Sequence, residues 1–202
     1  MTETQHNKRG PITRADIMAM PDYAAIRADR RRNMSEAKRL RRLDVGPYST
    51  FYFENYDTMW HQIHEMLFVE KGGEAQIQDE LDSYNPLIPN GDELVATVMI
   101  EVPDAKRRAA VLHMVGGIEN HIILSIGADT IRGIPDADRE NTSPEGKASS
   151  VQFIRFPLNT DQKKSFAAGT QPVMLGFDHP RYGHLAAMPA AMRETLSNDL
   201  NP

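Results

Sequence analysis

Two histidines and a glutamate fall within the six residues WHQIHE, residues 60–65. Imidazole nitrogens and carboxylate oxygens are ligands for iron, manganese or zinc, and two histidines with one carboxylate form a known iron site for oxygen chemistry. Positions three or four apart share one face of a helix. That spacing relates four side chains: Asp57, His61, His64 and Glu65. The segment therefore predicts a row of candidate metal ligands.

The same segment also has a purely structural interpretation. Its order, H-x-x-H-E, differs from the H-E-x-x-H and H-x-x-E-H signatures of metalloproteases. It also differs from the Glu-x-x-His pairs of di-iron bundles. Apolar residues at helical spacing, among them Met59, Ile63 and Leu67, predict a core-facing stripe on the opposite side. Packed, hydrogen-bonded histidines are the interpretation that these departures favour, and a metal site is the competing hypothesis.

The sequence FDHPRYGH, residues 177–184, holds a second group of polar side chains. Pro180 favours an extended conformation for His179, and loops at strand ends often carry functional residues. If this predicted loop lay over the helix face, His179 or His184 would complete a metal shell. A Pro/Gly turn with solvated histidines is the alternative that we favour. Two further histidines are predicted to be structural and isolated: His113 and His121.

Cationic residues are concentrated between Arg27 and Arg42. Eight Lys or Arg stand there against Asp29 and Glu36, which leaves a local charge of +6 in a chain of net charge -5. The acidic balance and the scarcity of aromatic residues in this segment argue against nucleic-acid binding. We expect the segment to dock an acidic partner. The candidate partner-binding residues are Arg27, Arg30, Arg31, Arg39 and Arg42.

The elements that would position these groups change character along the chain. Helical patterns dominate residues 11–86 and include a long helix from Pro21 to about Leu43, whereas strand patterns dominate residues 91–202. We predict an α+β fold, with N-terminal helices followed by a mostly antiparallel sheet and flanking helices. Residues 11–202 are predicted to form a single domain after a disordered tail at residues 1–10.

Composition excludes several classes of chemistry. The chain has no cysteine, so it has no disulfide, no thiolate zinc site and no cysteine-ligated iron–sulfur cluster of its own. No motif for a nucleotide or flavin cofactor occurs. The N-terminus lacks a signal-peptide pattern, and no apolar run approaches the ~20 residues of a membrane helix. A cytoplasmic location without membrane contact is therefore expected.

Five segments together resemble the bacterial family known as domain of unknown function 3501, DUF3501: ITRADIM, FYFENYDTMWHQIHEML, YNPLIP, GKASSVQFIRF and DHPRYGH. The resemblance spans about residues 11–200. It implies that such proteins are encoded beside a rubrerythrin-like di-iron protein and a cysteine-rich iron–sulfur oxidoreductase. That neighbourhood implies a role near peroxide defence or iron-linked electron transfer, without assigning a reaction.

Two functional hypotheses follow. The first is an accessory or interaction component of this redox module, which docks its partner through the arginine-rich segment. The second is a mononuclear metal protein or metalloenzyme, with iron, manganese or zinc held by His61, His64 and Glu65 and completed by His179 or His184. Nucleic-acid binding ranks third. No catalytic residue is assigned, and whether the chain is an enzyme stays open.

Overall fold

The computed structural model describes residues 10–201, so the tail predicted for residues 1–10 lies outside the described part except for Gly10. The α-helices in this part are α1 (Met20–Arg39), α2 (Tyr56–Glu70), α3 (Glu74–Tyr84), α4 (Ala105–Met114), α5 (Thr160–Ala168) and α6 (Ala190–Ser197). Among these described helices, none combines the length and apolar character needed to cross a membrane.

Two antiparallel sheets accompany the helices. Their strands are β1 (Arg42–Val45), β2 (Ser49–Phe53), β3 (Glu93–Ile100), β4 (Ile122–Ile126), β5 (Asp129–Arg132), β6 (Ile134–Pro135), β7 (Val151–Pro157), β8 (Val173–His179) and β9 (Tyr182–Ala187). The strand orders are β1-β2-β3-β7-β6 and β5-β4-β8-β9. The α+β class is confirmed, with two sheets in place of one. The predicted helical half, residues 11–86, and the predicted strand-rich half, residues 91–202, share one sheet, because β2 of the first half pairs with β3 of the second.

The two sheets enclose an apolar core. Side chains alternate along a strand, so Leu94, Ala96 and Val98 of β3 all face the second sheet. Across the interface the rings of Phe51 and Phe177 lie 5.3 Å apart, centroid to centroid. This core joins strands from both ends of the chain.

The opposite face of the first sheet is covered by the N-terminal helices. Val95 of β3 faces this side and belongs to a second cluster with Tyr23 of α1 and Ile63 of α2. Because α1 and α2 both lie against this face, their side chains meet in the space between the helices and the sheet. That space holds three buried polar side chains of α2 that the sequence singled out: Asp57, His61 and His64.

Helix α1 ends earlier than predicted, and Arg42 belongs to β1 instead. The neighbouring Arg41 is buried, where its guanidinium donates to the carbonyl of Phe53 at 2.9 Å and forms an ion pair with Asp199. The backbone carbonyl of Arg41 also accepts from the amide of Phe53 at 2.8 Å. Because these bonds hold Arg41 against β2, α1 ends at Arg39 and the chain enters β1.

The segment 177–184 is a hairpin: the strand predicted through His179 is present as β8, but the loop predicted after it is wrong, because only two residues turn before β9 begins at Tyr182. His179 pairs with Tyr182 across the hairpin, and Pro180 and Arg181 make the tight turn. His184 lies within β9, opposite Phe177. Alternation along the strands therefore sets the direction of both histidines.

Candidate functional site

The helix that carries WHQIHE is present as α2. Asn55 caps its N-terminus, where its side chain accepts from the amide of Thr58 at 2.9 Å and the hydroxyl of Thr58 accepts from the amide of Asn55 at 2.9 Å. The helix ends at Lys71, whose φ of 58° places it in the left-handed region. The predicted helical spacing of the histidines and carboxylates is thus real.

His64 is part of the core, packed and hydrogen-bonded as in the structural interpretation of this segment rather than placed on an open polar face. Its side chain is fully buried, and its ring centroid lies 3.7 Å from that of Trp60. The Nε2 atom accepts from the amide of Met18 at 3.1 Å, so Nδ1 carries the proton and donates to the carbonyl of Trp60 at 2.7 Å. Both ring nitrogens therefore have backbone partners.

His61 and Glu65 meet around the hydroxyl of Tyr23 on α1. This hydroxyl donates to Oε1 of Glu65 at 2.8 Å, and its oxygen lies 3.3 Å from Nδ1 of His61. Tyrosine has only one hydroxyl proton, so His61 must be the donor in the second contact. Arg27 completes the chain with two hydrogen bonds to the carboxylate of Glu65, at 2.8 and 2.9 Å.

Asp57 forms a separate pair with α1. Its carboxylate accepts from Arg30 at 2.5 Å, and its backbone carbonyl accepts from the same guanidinium at 3.2 Å. The guanidinium carbon of Arg30 also lies 4.9 Å from the ring centroid of Trp60. The two carboxylates of the predicted ligand row therefore serve as anchors for the arginines of α1.

Burial sets the protonation states in this region. Desolvation lowers the pKa of His61 to about 4, although the nearby carboxylate of Glu65 opposes the shift. Desolvation likewise lowers the pKa of His64 to about 4. The hydrogen bond from Arg27 lowers the pKa of Glu65. At neutral pH both imidazoles are therefore neutral, beside an ionised carboxylate.

The remaining predicted ligands have their partners elsewhere in the fold. Nδ1 of His179 accepts from the amide of Arg181 at 3.2 Å, and its ring lies 5.1 Å from that of His121. His121, predicted to be isolated, has a contact of 2.9 Å between its Nδ1 and Asp178. The ring of His184 lies 4.6 Å from that of Tyr182. These contacts lie on the second sheet rather than on α2.

The donor atoms of the predicted metal shell are thus divided between two regions. Within residues 10–201, no three or more His, Asp and Glu side chains are arranged to hold a metal ion. The fit to iron, manganese or zinc is poor at His64, since both of its nitrogens already have backbone partners. Metal binding stays a prediction.

A pocket of about 420 Å³ lies between α1, the start of the first sheet and α2. We call it the α1 pocket and define it by six of its lining residues: Arg31, Lys38, Arg39, Arg42, Tyr52 and His61. Four of these residues, Arg31, Arg39, Arg42 and His61, were predicted from the sequence to be functional, whereas Lys38 and Tyr52 were not. The seven-residue spacing of Arg31 and Lys38, which places both on one helix face, was an available signal.

Comparison with known proteins identifies the family. The sequence family described as "Protein of unknown function (DUF3501)" matches residues 11–200. The chain belongs to the DUF3501 family. A solved structure is similar to this DUF3501 chain over nearly its whole length. It is described as the crystal structure of a novel protein of unknown function from Burkholderia pseudomallei K96243, with 34% sequence identity and a TM-score of 0.88.

The similarity covers 95% of this DUF3501 chain and 100% of the Burkholderia chain. No protein of curated function matches the sequence. The comparisons therefore support the fold and the family of the chain.

The five arginines proposed for partner binding in this DUF3501 protein separate into two groups. Arg27 and Arg30 are mostly buried and hold α2 through Glu65 and Asp57. The outer group is exposed, with side-chain exposures of 60%, 74% and 49% for Arg31, Arg39 and Arg42. The inner arginines are structural by their contacts, whereas the outer ones are accessible to a partner.

Proposed function

We propose that this protein is an accessory component of a redox module and that it docks an acidic partner through the outer surface of α1 and β1. The observation that carries the proposal is the exposed group Arg31, Arg39 and Arg42, which extends over the α1 pocket. Arginine suits protein interfaces because its guanidinium is weakly hydrated and binds carboxylates through two parallel hydrogen bonds.

The carboxylates already near these arginines do not prevent docking. Arg39 pairs with Glu36 at 3.3 Å and Arg42 with Asp44 at 3.1 Å, both on the solvent-exposed surface. Arg31 lies 4.0 Å from Glu65, at the limit of an ion pair. Exposed ion pairs contribute roughly 0–1 kcal/mol, so carboxylates of a partner can replace them at little cost.

The partner that we propose is the rubrerythrin-like di-iron protein or the iron–sulfur oxidoreductase implied by the family resemblance. The chain has no cysteine with which to hold an iron–sulfur cluster, so a supporting role beside an electron carrier suits its composition. The role in peroxide defence rests on the same resemblance. Docking through surface charge would bring the two proteins together quickly and reversibly.

The test is a binding measurement between the purified chain and each immobilised partner. We expect the dissociation constant to rise steeply as salt is raised from about 0.05 to 0.3 M, because exposed charges are screened. The double variant Arg31→Glu with Arg39→Glu should weaken binding at least about tenfold.

The matched control is the double variant Lys106→Glu with Lys164→Glu, which makes the same change in net charge at exposed positions on α4 and α5. It should leave binding to the partner nearly unchanged. An equal loss in both double variants would show a dependence on net charge alone. That result, or the absence of binding to either partner, would reject the docking surface.

A further inference from the structure

The α1 pocket combines a strongly positive wall with an interior of useful size. Four cationic residues line it, and within the described part of the chain no Asp or Glu does so. Its volume of about 420 Å³ lies in the range typical of small-molecule sites, roughly 300–1,000 Å³. A cleft lined by one sign of charge concentrates ions of the opposite sign.

Lys38 is the cation of the α1 pocket that the chain leaves without a counter-charge. It is half-buried, and among residues 10–201 no carboxylate lies within 4.0 Å of its ammonium group. The buried Lys163 is treated differently, since Asp92 lies 2.5 Å from its ammonium nitrogen. Lys38 and three arginines line the same pocket, and a bound anion would offset the repulsion between their positive charges.

Part of the α1 pocket is apolar. Met34, which is buried, and Tyr52 both line the pocket. The guanidinium carbon of Arg42 lies 5.6 Å from the centroid of the Tyr52 ring. A site that bound only a hydrated inorganic ion would not need this apolar and aromatic surface.

We propose that the α1 pocket binds a small organic oxyanion that carries two negative charges and a ring. The charged oxygens pair with Lys38 and the neighbouring arginines, and the ring lies against Met34 and Tyr52. Phosphate esters and dicarboxylates share this chemistry. The inference goes beyond the docking function and is independent of it, because the purified chain alone should bind the anion.

The first experiment is isothermal titration of the full chain with four probes. Phenyl phosphate and phthalate each carry two negative charges and one ring, inorganic phosphate lacks the ring, and phenol lacks the charge. We expect one molecule of phenyl phosphate or phthalate to bind per chain, at least about tenfold more tightly than inorganic phosphate, with no binding of phenol. The tighter of the two ring compounds identifies the class, phosphate ester or dicarboxylate.

Variants of Lys38 locate the binding. Lys38→Met keeps an unbranched side chain only one heavy atom shorter and removes the charge, so it should weaken binding of the preferred probe at least about tenfold. Lys38→Arg should restore most of the affinity. Arg32→Gln removes one positive charge from the same helix outside the α1 pocket and should change the affinity less than about twofold. Circular dichroism shows whether each variant is folded.

The ring signals of His61 in a nuclear magnetic resonance titration give a second readout. The signals of His61 should shift on saturation, whereas those of His179 on the second sheet should not. Absence of saturable binding by both ring compounds overturns the proposal. Equal losses in Lys38→Met and Arg32→Gln overturn it as well, and equal affinity for inorganic phosphate overturns the ring contact.

The same variants separate this proposal from the docking function. Lys38→Met should weaken anion binding at least about tenfold while the protein partner still binds, because Lys38 is half-buried and the docking arginines are exposed. If the unmodified chain binds the anion but neither protein partner, only the docking surface is rejected. The opposite result would reject only the α1 pocket as a ligand site.

Discussion

The two faces of the first sheet are buried in different ways. The face toward the second sheet is covered by aliphatic and aromatic side chains such as Phe51 and Phe177. The face toward α1 and α2 also buries Asp57, His61 and His64, which pair with arginines, a tyrosine or the backbone. Burial of polar groups requires specific partners, so the helix side has a defined geometry that an apolar core does not need. The α1 pocket opens on this side.

The largest effect should come from the apolar side. Phe51→Ala removes a fully buried ring and should lower the free energy of unfolding by about 3–5 kcal/mol, measured by urea denaturation. The control is Tyr52→Ala, at the neighbouring position on the opposite face of the sheet. It should lower the free energy of unfolding by less than half as much, since Tyr52 is only half-buried. Similar losses in both variants would remove the proposed difference between the faces.

Acid should act mainly on the helix side. Folded His61 and His64 stay neutral down to a pKa of about 4, whereas an unfolded histidine titrates near its ordinary value of 6.5. The unfolded state therefore binds more protons between these values, and stability falls as the pH is lowered through that window. The loss should be at most about 3 kcal/mol for each histidine.

His64→Gln should reduce this dependence by about half, read as the slope of unfolding free energy against pH. Protonation of the native ring would place a proton on Nε2 against the amide donor of Met18, and glutamine cannot titrate. His113→Gln, at an exposed position on α4, should keep the full slope. An unchanged slope in His64→Gln would contradict the conclusion that burial lowers the pKa of His64.

The smallest effect should come from the arginine anchors. Asp57→Asn keeps the shape of the side chain but removes the charge facing Arg30, and should cost about 1–2 kcal/mol in unfolding free energy. The control is Glu36→Gln, which removes a carboxylate paired with Arg39 on the exposed side of α1 and should have no measurable effect. Equal losses of unfolding free energy in Asp57→Asn and Glu36→Gln would mean that the inner and outer arginine pairs contribute equally to stability.

Local patterns predicted most of the elements. The helical spacing in WHQIHE predicted α2, and the strand patterns of residues 91–202 predicted strands such as β3. These features depend on hydrogen bonds and side-chain periodicity within a few residues, so a sequence displays them directly. The end of α1 was mispredicted because the buried bonds of Arg41 connect it to Phe53 and Asp199, which are distant in the chain.

The sequence by itself determined the α+β class, the absence of thiol chemistry and the concentration of cations near α1. It also identified the residues that share one face of α2. Only the tertiary structure decided which of these side chains could still bind a ligand. The amide of Met18 forms a hydrogen bond with His64, and the hydroxyl of Tyr23 forms one with His61. Helical spacing defines the direction of a side chain relative to the helix axis. Whether that side chain is available for binding depends on which elements pack against its face of the helix.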